Sequence, residues 1–365
     1  MLGPVPLHRG GMMRLVRSLA ALSLLVLSLW TAPTQAQELM GLGLEADIPE
    51  DGAPLDVSVG IEISQISFVD QKSENYGAVV TIRASWTDPK LAYDRDEDSR
   101  KARIVKPDEF LDYASKRDTI PPGFIISNQQ SNRWIHHAVI AITPDGEASY
   151  FESSSLTLQA PHFDFHKYPF DTQTFFFEIV SVFPNDVVTY SGDEAFSGLG
   201  DMLGEEEWVL NNPRLEVSTT TGISGQESDR VTLVFEGHRH TQYYMIRIFL
   251  PLLVLITVSW AAFFFDDYKK RAEIAGANLL VFVAFNWAVS ADLPRLGYLT
   301  FVDFILQWVF VVTGAIIVFN MVLARMQLKG QGELAETLDY YVIRWVYPLG
   351  YAAIVGFAVV RYLLT

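Results

Sequence analysis

The segment Ala272–Ala291, AEIAGANLLVFVAFNWAVSA, is apolar enough to cross a bilayer, yet it carries a carboxylate at its second position. Within it Glu273, Ala277, Leu280, Ala284, Trp287 and Ala291 recur at alternating spacings of four and three, so a helix holds them on one face turned toward a common axis. At ~1.5 Å per residue the segment is about 30 Å long, the thickness of a hydrocarbon core. A face of one carboxylate, small residues and bulky apolar Leu280 and Trp287 suits the wall of a water-filled pore, whereas a lipid-facing helix has no use for Glu273. The reading is an ion channel lined by several copies of this helix.

Three further apolar stretches accompany it: Tyr243–Phe265, Tyr298–Ala324 and Tyr341–Leu364. Tyr243, Tyr244, Tyr298, Tyr341 and Trp345 mark their ends, as interfacial aromatic residues do. Lys269, Lys270 and Arg271 fall in the first connection, and Arg325 and Lys329 in the one before the last span. Both connections therefore read as inner, and the four crossings leave the N-terminal region and the C-terminus outside. Pro251 and Pro348 are tolerated inside the spans where neighbouring helices cover the freed carbonyls.

Ahead of the spans, Arg14 and Arg17 precede an apolar run from Leu19 to Trp30, and the small residues Thr34 and Ala36 stand before Gln37. This pattern predicts a cleaved secretory signal over residues 1–36. It leaves an exported domain, 37–240, and a membrane domain, 241–365. Between Gln37 and His240 there are 15 Lys and Arg against 35 Asp and Glu, a surface that repels nucleic acid and concentrates cations. There is no cysteine, and a domain of about 200 residues buries enough core without disulfides.

The exported domain alternates with a period of two: Ala78, Val80, Ile82, Ala84 and Trp86; Leu156 and Leu158; Phe175, Phe177 and Ile179; Val231, Leu233 and Phe235. Short alternating runs broken by Gly, Pro, Asn and Asp predict an all-β, immunoglobulin-like antiparallel sandwich, followed by an all-α four-helix membrane domain. The spacing slips to three between Ile63 and Ile66, which predicts a bulge in the first strand.

The run Tyr168-Pro169-Phe170-Asp171-Thr172-Gln173 resembles the signature loop of the pentameric ligand-gated ion channels, the Cys-loop receptor superfamily, in its prokaryotic branch. Trp86-Thr87-Asp88-Pro89-Lys90-Leu91 is similar to an early-strand motif of that family. Arg239 stands ahead of Pro251 as the family's pre-membrane arginine stands ahead of its first-helix proline, and Ala284-Phe285-Asn286 with Leu293-Pro294-Arg295 is similar to the end of the prokaryotic second helix. Pro161 and Phe175 occupy the positions of the loop's cysteines. The loop is therefore expected to be held by packing and by a cis bond before Pro169. The connection from Gln327 to Tyr340 is too short for the large cytoplasmic domain of animal receptors.

The resemblance implies a homopentamer in a bacterial inner membrane, surrounded by lipid, with its N-terminal domain and C-terminus periplasmic and monovalent cations permeating. Five Glu273 carboxylates at about 6 Å spacing, with an effective dielectric near 20, repel by about 3 kcal/mol per adjacent pair, so the ring binds cations or takes up protons. Leu280 and Trp287 form apolar rings that can stop conduction by dewetting. Asn278 and Asn286, off the stripe, are expected to hydrogen-bond between helices.

The family's coupling network maps onto Glu74, Pro169, Asp171, Arg239, Pro294 and Arg295, with Arg239 expected between two carboxylates. For an unidentified small-molecule agonist the candidate pocket residues are Phe124, Trp134 and Phe183, with sandwich core as the competing reading. Asp94, Asp96 and Asp98 form a candidate weak divalent site, and Glu273, His162, His166, His238 and His240 are candidate proton sites; no other cofactor is expected. The competing functions are an anion-selective channel of the same family and a non-conducting periplasmic binding receptor anchored by helices. No nucleophile elbow, phosphate loop or metal quartet points to an enzyme.

Overall fold

The computed structural model of the chain describes residues 53–94, 101–119, 121–160, 163–201, 203–204, 208–291 and 295–364. The expected signal segment lies outside them. Period-two alternation becomes strand wherever one face can be buried. The strands are β1 (Leu55–Asp70), β2 (Asn75–Thr87), β3 (Arg103–Val105), β4 (Phe124–Ile126), β5 (Trp134–Ile142), β6 (Glu147–Gln159), β7 (Thr172–Ser181), β8 (Val188–Gly192), β9 (Gly198–Leu199), β10 (Trp208–Thr221) and β11 (Glu227–Arg239). A short helix, α1 (Pro107–Ser115), lies between β3 and β4.

One sheet runs β3-β5-β6-β2-β1-β8 with β9 also on β1, and the other runs β10-β11-β7-β4. The alternating residues named above face inward: Val80, Ile82, Phe175, Phe177, Ile179, Val231 and Phe235 are fully buried. Phe175 stacks on Phe235 at 5.5 Å and meets the edge of Tyr76 at 5.2 Å. β1 shifts register between Ile63 and Gln65, where the bulge was expected, and again between Ile66 and Phe68. The expectation of a wholly antiparallel sandwich needs correcting, because β8 and β9 pair with β1 in parallel. β8 and β9 follow β7 of the opposite sheet and return to the free edge of β1, where the direction of the chain makes the pairing parallel.

Four helices are long and apolar enough to cross a membrane: α2 (Thr241–Phe264), α3 (Tyr268–Ser290), α4 (Phe301–Leu328) and α5 (Gly332–Leu364). Their ends differ from the sequence estimates by up to four residues except at the start of α5. There the connection read as a linker is helical from Gly332 to Tyr341. Its face of Ala335 and Asp339 is buried, so packing orders a segment whose composition is too polar to read as a span.

Both prolines act locally on the hydrogen-bond ladder. A proline lacks the N–H donor and crowds the preceding turn, and each is preceded by a wider π turn, Met245–Phe249 before Pro251 and Val342–Val346 before Pro348. The helices are also joined by polar contacts. Asn278 donates to the Leu255 carbonyl at 2.9 Å and to Ser259 Oγ, tying α3 to α2 as expected. Tyr347 of α5 donates to the Ile256 carbonyl of α2 at 2.7 Å.

Candidate pore face and domain junction

Helix α3 has two unlike faces. Tyr268, Arg271, Ala275, Asn278 and Phe282 are buried against the other helices of the same chain, again at spacings of three and four. The opposite face carries Glu273, Ala277, Leu280, Ala284, Trp287 and Ala291, all exposed in the single chain, with Leu280 73% and Trp287 81% exposed. A sequence with almost no amphipathic contrast thus divides by size and polarity: the face that packs holds one arginine and one asparagine whose partners are internal. Lys269 and Lys270 are exposed at the same end as Glu273. Among the described residues no ion pair joins Glu273 to Lys269, so the carboxylate is not spent on a local pair.

The second cluster is built where the sandwich meets the helices. Arg239, at the end of β11, and Asp171, immediately before β7, are each 2% exposed. Arg239 Nε donates to Asp171 Oδ1 at 2.9 Å, Nη2 donates to Oδ2 at 3.3 Å, and Nη1 donates to Tyr244 Oη at 3.1 Å. The guanidinium also lies 4.2 Å from the Trp208 ring and 5.0 Å from the Tyr168 ring. Burial alone would weaken the Arg239 cation, but the charge and hydrogen bonds of Asp171 outweigh it and raise its pKa.

The signature loop is closed without cysteines. Gln173 accepts from Asp164 N at 2.9 Å and donates to the Asp164 carbonyl at 2.7 Å, while Phe163 packs on Phe175 at 5.5 Å. The Tyr168–Pro169 bond is cis, as expected. From this base the loop reaches the membrane helices. His166 stacks on Tyr298 with ring centroids 3.8 Å apart, Phe165 N donates to Tyr298 Oη at 3.1 Å, and Phe301 N donates to the His166 carbonyl at 2.9 Å. Phe170 contacts Phe249 of α2 and Phe301 of α4 at 6.0 and 5.7 Å. A displacement of the sandwich base therefore bears on the segment just before α4 through direct contacts.

Other expected residues are less well placed. Glu74 is exposed in the β1–β2 turn at φ 49°, its carbonyl accepting from Ala160 N. Among the described residues no ion pair joins it to Arg239, which pairs there with Asp171 and lies against the Trp208, Tyr168 and Tyr244 rings. Arg295 is exposed, and Pro294 lies outside the described residues. So do His162, Asp96 and Asp98, and of the candidate divalent site Asp94 is among the described residues. The three candidate pocket residues sit in different settings, with Phe124 paired to Ser181 near Phe183. Phe183 is 6% exposed in the sandwich core, Phe124 lies on β4 with its ring edge-on to Tyr150 at 5.8 Å, and Trp134 is 73% exposed on β5 of the other sheet. A cavity of about 710 Å³ opens at the junction, with Asp70, Lys72, His240, Tyr243 and Phe285 among its walls.

Tyr298, Phe301, Trp208 and Tyr244 were not singled out in the sequence as junction residues. For Tyr244, Tyr298 and Phe301 the sequence signal is aromatic enrichment at span ends, which marks an interface without naming a contact, and Trp208, at the start of β10, has no such signal.

A family model described as the neurotransmitter-gated ion-channel ligand binding domain matches residues 45–241. A proton-gated ion channel of Gloeobacter violaceus is 24% identical over 260 residues, 70% of this chain and 69% of that protein. A glutamate-gated chloride channel subunit beta of Haemonchus contortus is 25% identical over 264 residues, 68% of this chain. The chain spans 59% of the length of this second relative.

Proposed function

The chain belongs to the family of pentameric ligand-gated ion channels, and from that membership we propose that five copies form a cation-selective channel of a bacterial inner membrane. A periplasmic stimulus on the sandwich is passed through the signature loop and opens a pore lined by α3. Relatives that are channels and not enzymes place the chain outside catalysis. The observation that carries the pore assignment is the division of α3: one stripe is consumed by the chain's own helices, and the stripe bearing Glu273 is left for an aqueous axis.

Selectivity follows from the Glu273 ring, which attracts cations in the narrow mouth more strongly than bulk water would permit. Glu273→Gln is expected to lower the cation-to-anion permeability ratio about tenfold, equivalent to ~1.4 kcal/mol. Reversal potentials in a salt-dilution gradient measure this. A reversal potential on the anion side in the unmodified channel contradicts cation selectivity. Two observations favour that second reading: Lys269 and Lys270 are exposed at the same mouth, and one relative is named as a chloride channel. The stimulus is sought among protons, divalent cations and small amines by recording purified protein in planar bilayers.

A further inference from the structure

Arg271 and Asp339 lie 68 positions apart, one in the first turn of the pore-facing helix and the other on the first segment of α5. Nη1 of Arg271 donates to both carboxylate oxygens of Asp339, at 2.7 and 2.8 Å. Their side chains are 6% and 11% exposed. Arg271 Nε donates to the Phe265 carbonyl, and the guanidinium lies 4.9 Å from the Tyr268 ring. Four positions before Asp339, and so on the same helical face, Ala335 packs with Tyr268 and Leu323. The foot of α3, the end of α4 and the start of α5 are thus one small packed unit.

A buried ion pair is no more stabilising than apolar packing of the same volume, but it fixes geometry, since the alternative is a charge left unpaired in the interior. On a helix, residues two positions apart are separated by about 200°. An arginine pinned inward to the bundle therefore turns the residue two positions later to the opposite side. That residue is Glu273.

We propose that the Arg271–Asp339 pair is a positioning device for the mouth of the pore: it sets the rotation of α3 at its inner end and holds Glu273 in the lumen. The segment Gly332–Tyr341 thereby acts on permeation without touching an ion. The last helix of the chain, α5, is thus linked mechanically to the selectivity ring through the pair at its foot. The pair also removes Arg271 from the field at the mouth, because its charge is matched by Asp339. This proposal rests on the pore assignment of Glu273.

The chain has no cysteine, so Glu273→Cys reports its own exposure to a charged, water-soluble thiol reagent, read as a change of current through reconstituted channels. With Asp339 in place the position is expected to react rapidly. With Asp339→Asn added, the rate is expected to fall about tenfold, the loss being taken up at Ala272→Cys or Ile274→Cys. Equal rates at position 273 with and without Asp339 overturn the positioning role. Absence of reaction at position 273 even with Asp339 present overturns the pore assignment itself, so the two failures are distinct. Should Asp339→Asn not assemble, Arg271→Lys keeps the charge but loses the Nε bond to the Phe265 carbonyl and shortens the arm that reaches Asp339. It is read in the same way, and an unchanged rate there overturns the proposal.

Discussion

Arg239→Ala is expected to cost the protein about 3–5 kcal/mol of stability and to leave those channels that assemble unable to open. The cost arises from what remains. Asp171 is 2% exposed, and without the guanidinium its carboxylate keeps a charge in the interior with Gln173 as neighbour. The void between Trp208, Tyr168 and Tyr244 adds to the loss, since all three rings lie against the cation. Failure to open has a separate cause. Arg239 ends the last strand and Asp171 immediately precedes β7 in the signature loop, so together they fix the loop that touches Tyr298 and Phe301. Arg239→Lys keeps the charge but loses the fork and the stacking, and is expected to fall between the two. Thermal unfolding of the purified protein and currents under a stimulus that opens the parent channel measure the two effects. Parent-like stability and currents in Arg239→Ala contradict both.

Trp287→Ala is expected to raise the resting current about tenfold or more, equivalent to at least ~1.4 kcal/mol of destabilisation of the closed pore. A ring of indoles leaves water little reason to remain in the gap between them, and conduction stops without the walls touching. Alanine removes most of that apolar surface and widens the passage. Leu280→Ala acts at the second ring with a smaller effect, because leucine projects less far. Trp287 and Leu280 are 81% and 73% exposed in the single chain, so neither change removes packing against the chain's other helices, and assembly should be retained. Unchanged resting current in both variants contradicts the apolar gate.

The features legible in the sequence are those with a local period. Alternation in β2, β7 and β11 marks the core because successive side chains in a strand point to opposite faces, and the slip between Ile63 and Ile66 marks a bulge for the same reason. The faces of α3 follow from a helical repeat in the same way. Pairings across the fold leave no such trace. Nothing near Arg271 points to Asp339, and nothing near His166 points to Tyr298. Gln173 reads as part of a loop motif, yet it closes the loop by two hydrogen bonds to the Asp164 backbone. Phe183 shows the converse: an aromatic residue after the signature strand suits a pocket or a core equally well, and it is buried in the core. Glu74 was placed beside Arg239 by resemblance alone, and it stands in the exposed turn. The segment Gly332–Tyr341 is helical through Ala335 and Asp339, contacts that only the assembled bundle provides.

The central claim is that α3 turns one stripe toward a shared aqueous axis. Because the chain is free of cysteine, single cysteines from Ala272 to Ala291 can be tested one at a time with a charged thiol reagent during current recording. The account predicts rapid modification at positions 273, 277, 280, 284, 287 and 291, and protection at 275, 278 and 282. Reaction that follows the buried stripe instead, or that shows no helical period, contradicts it.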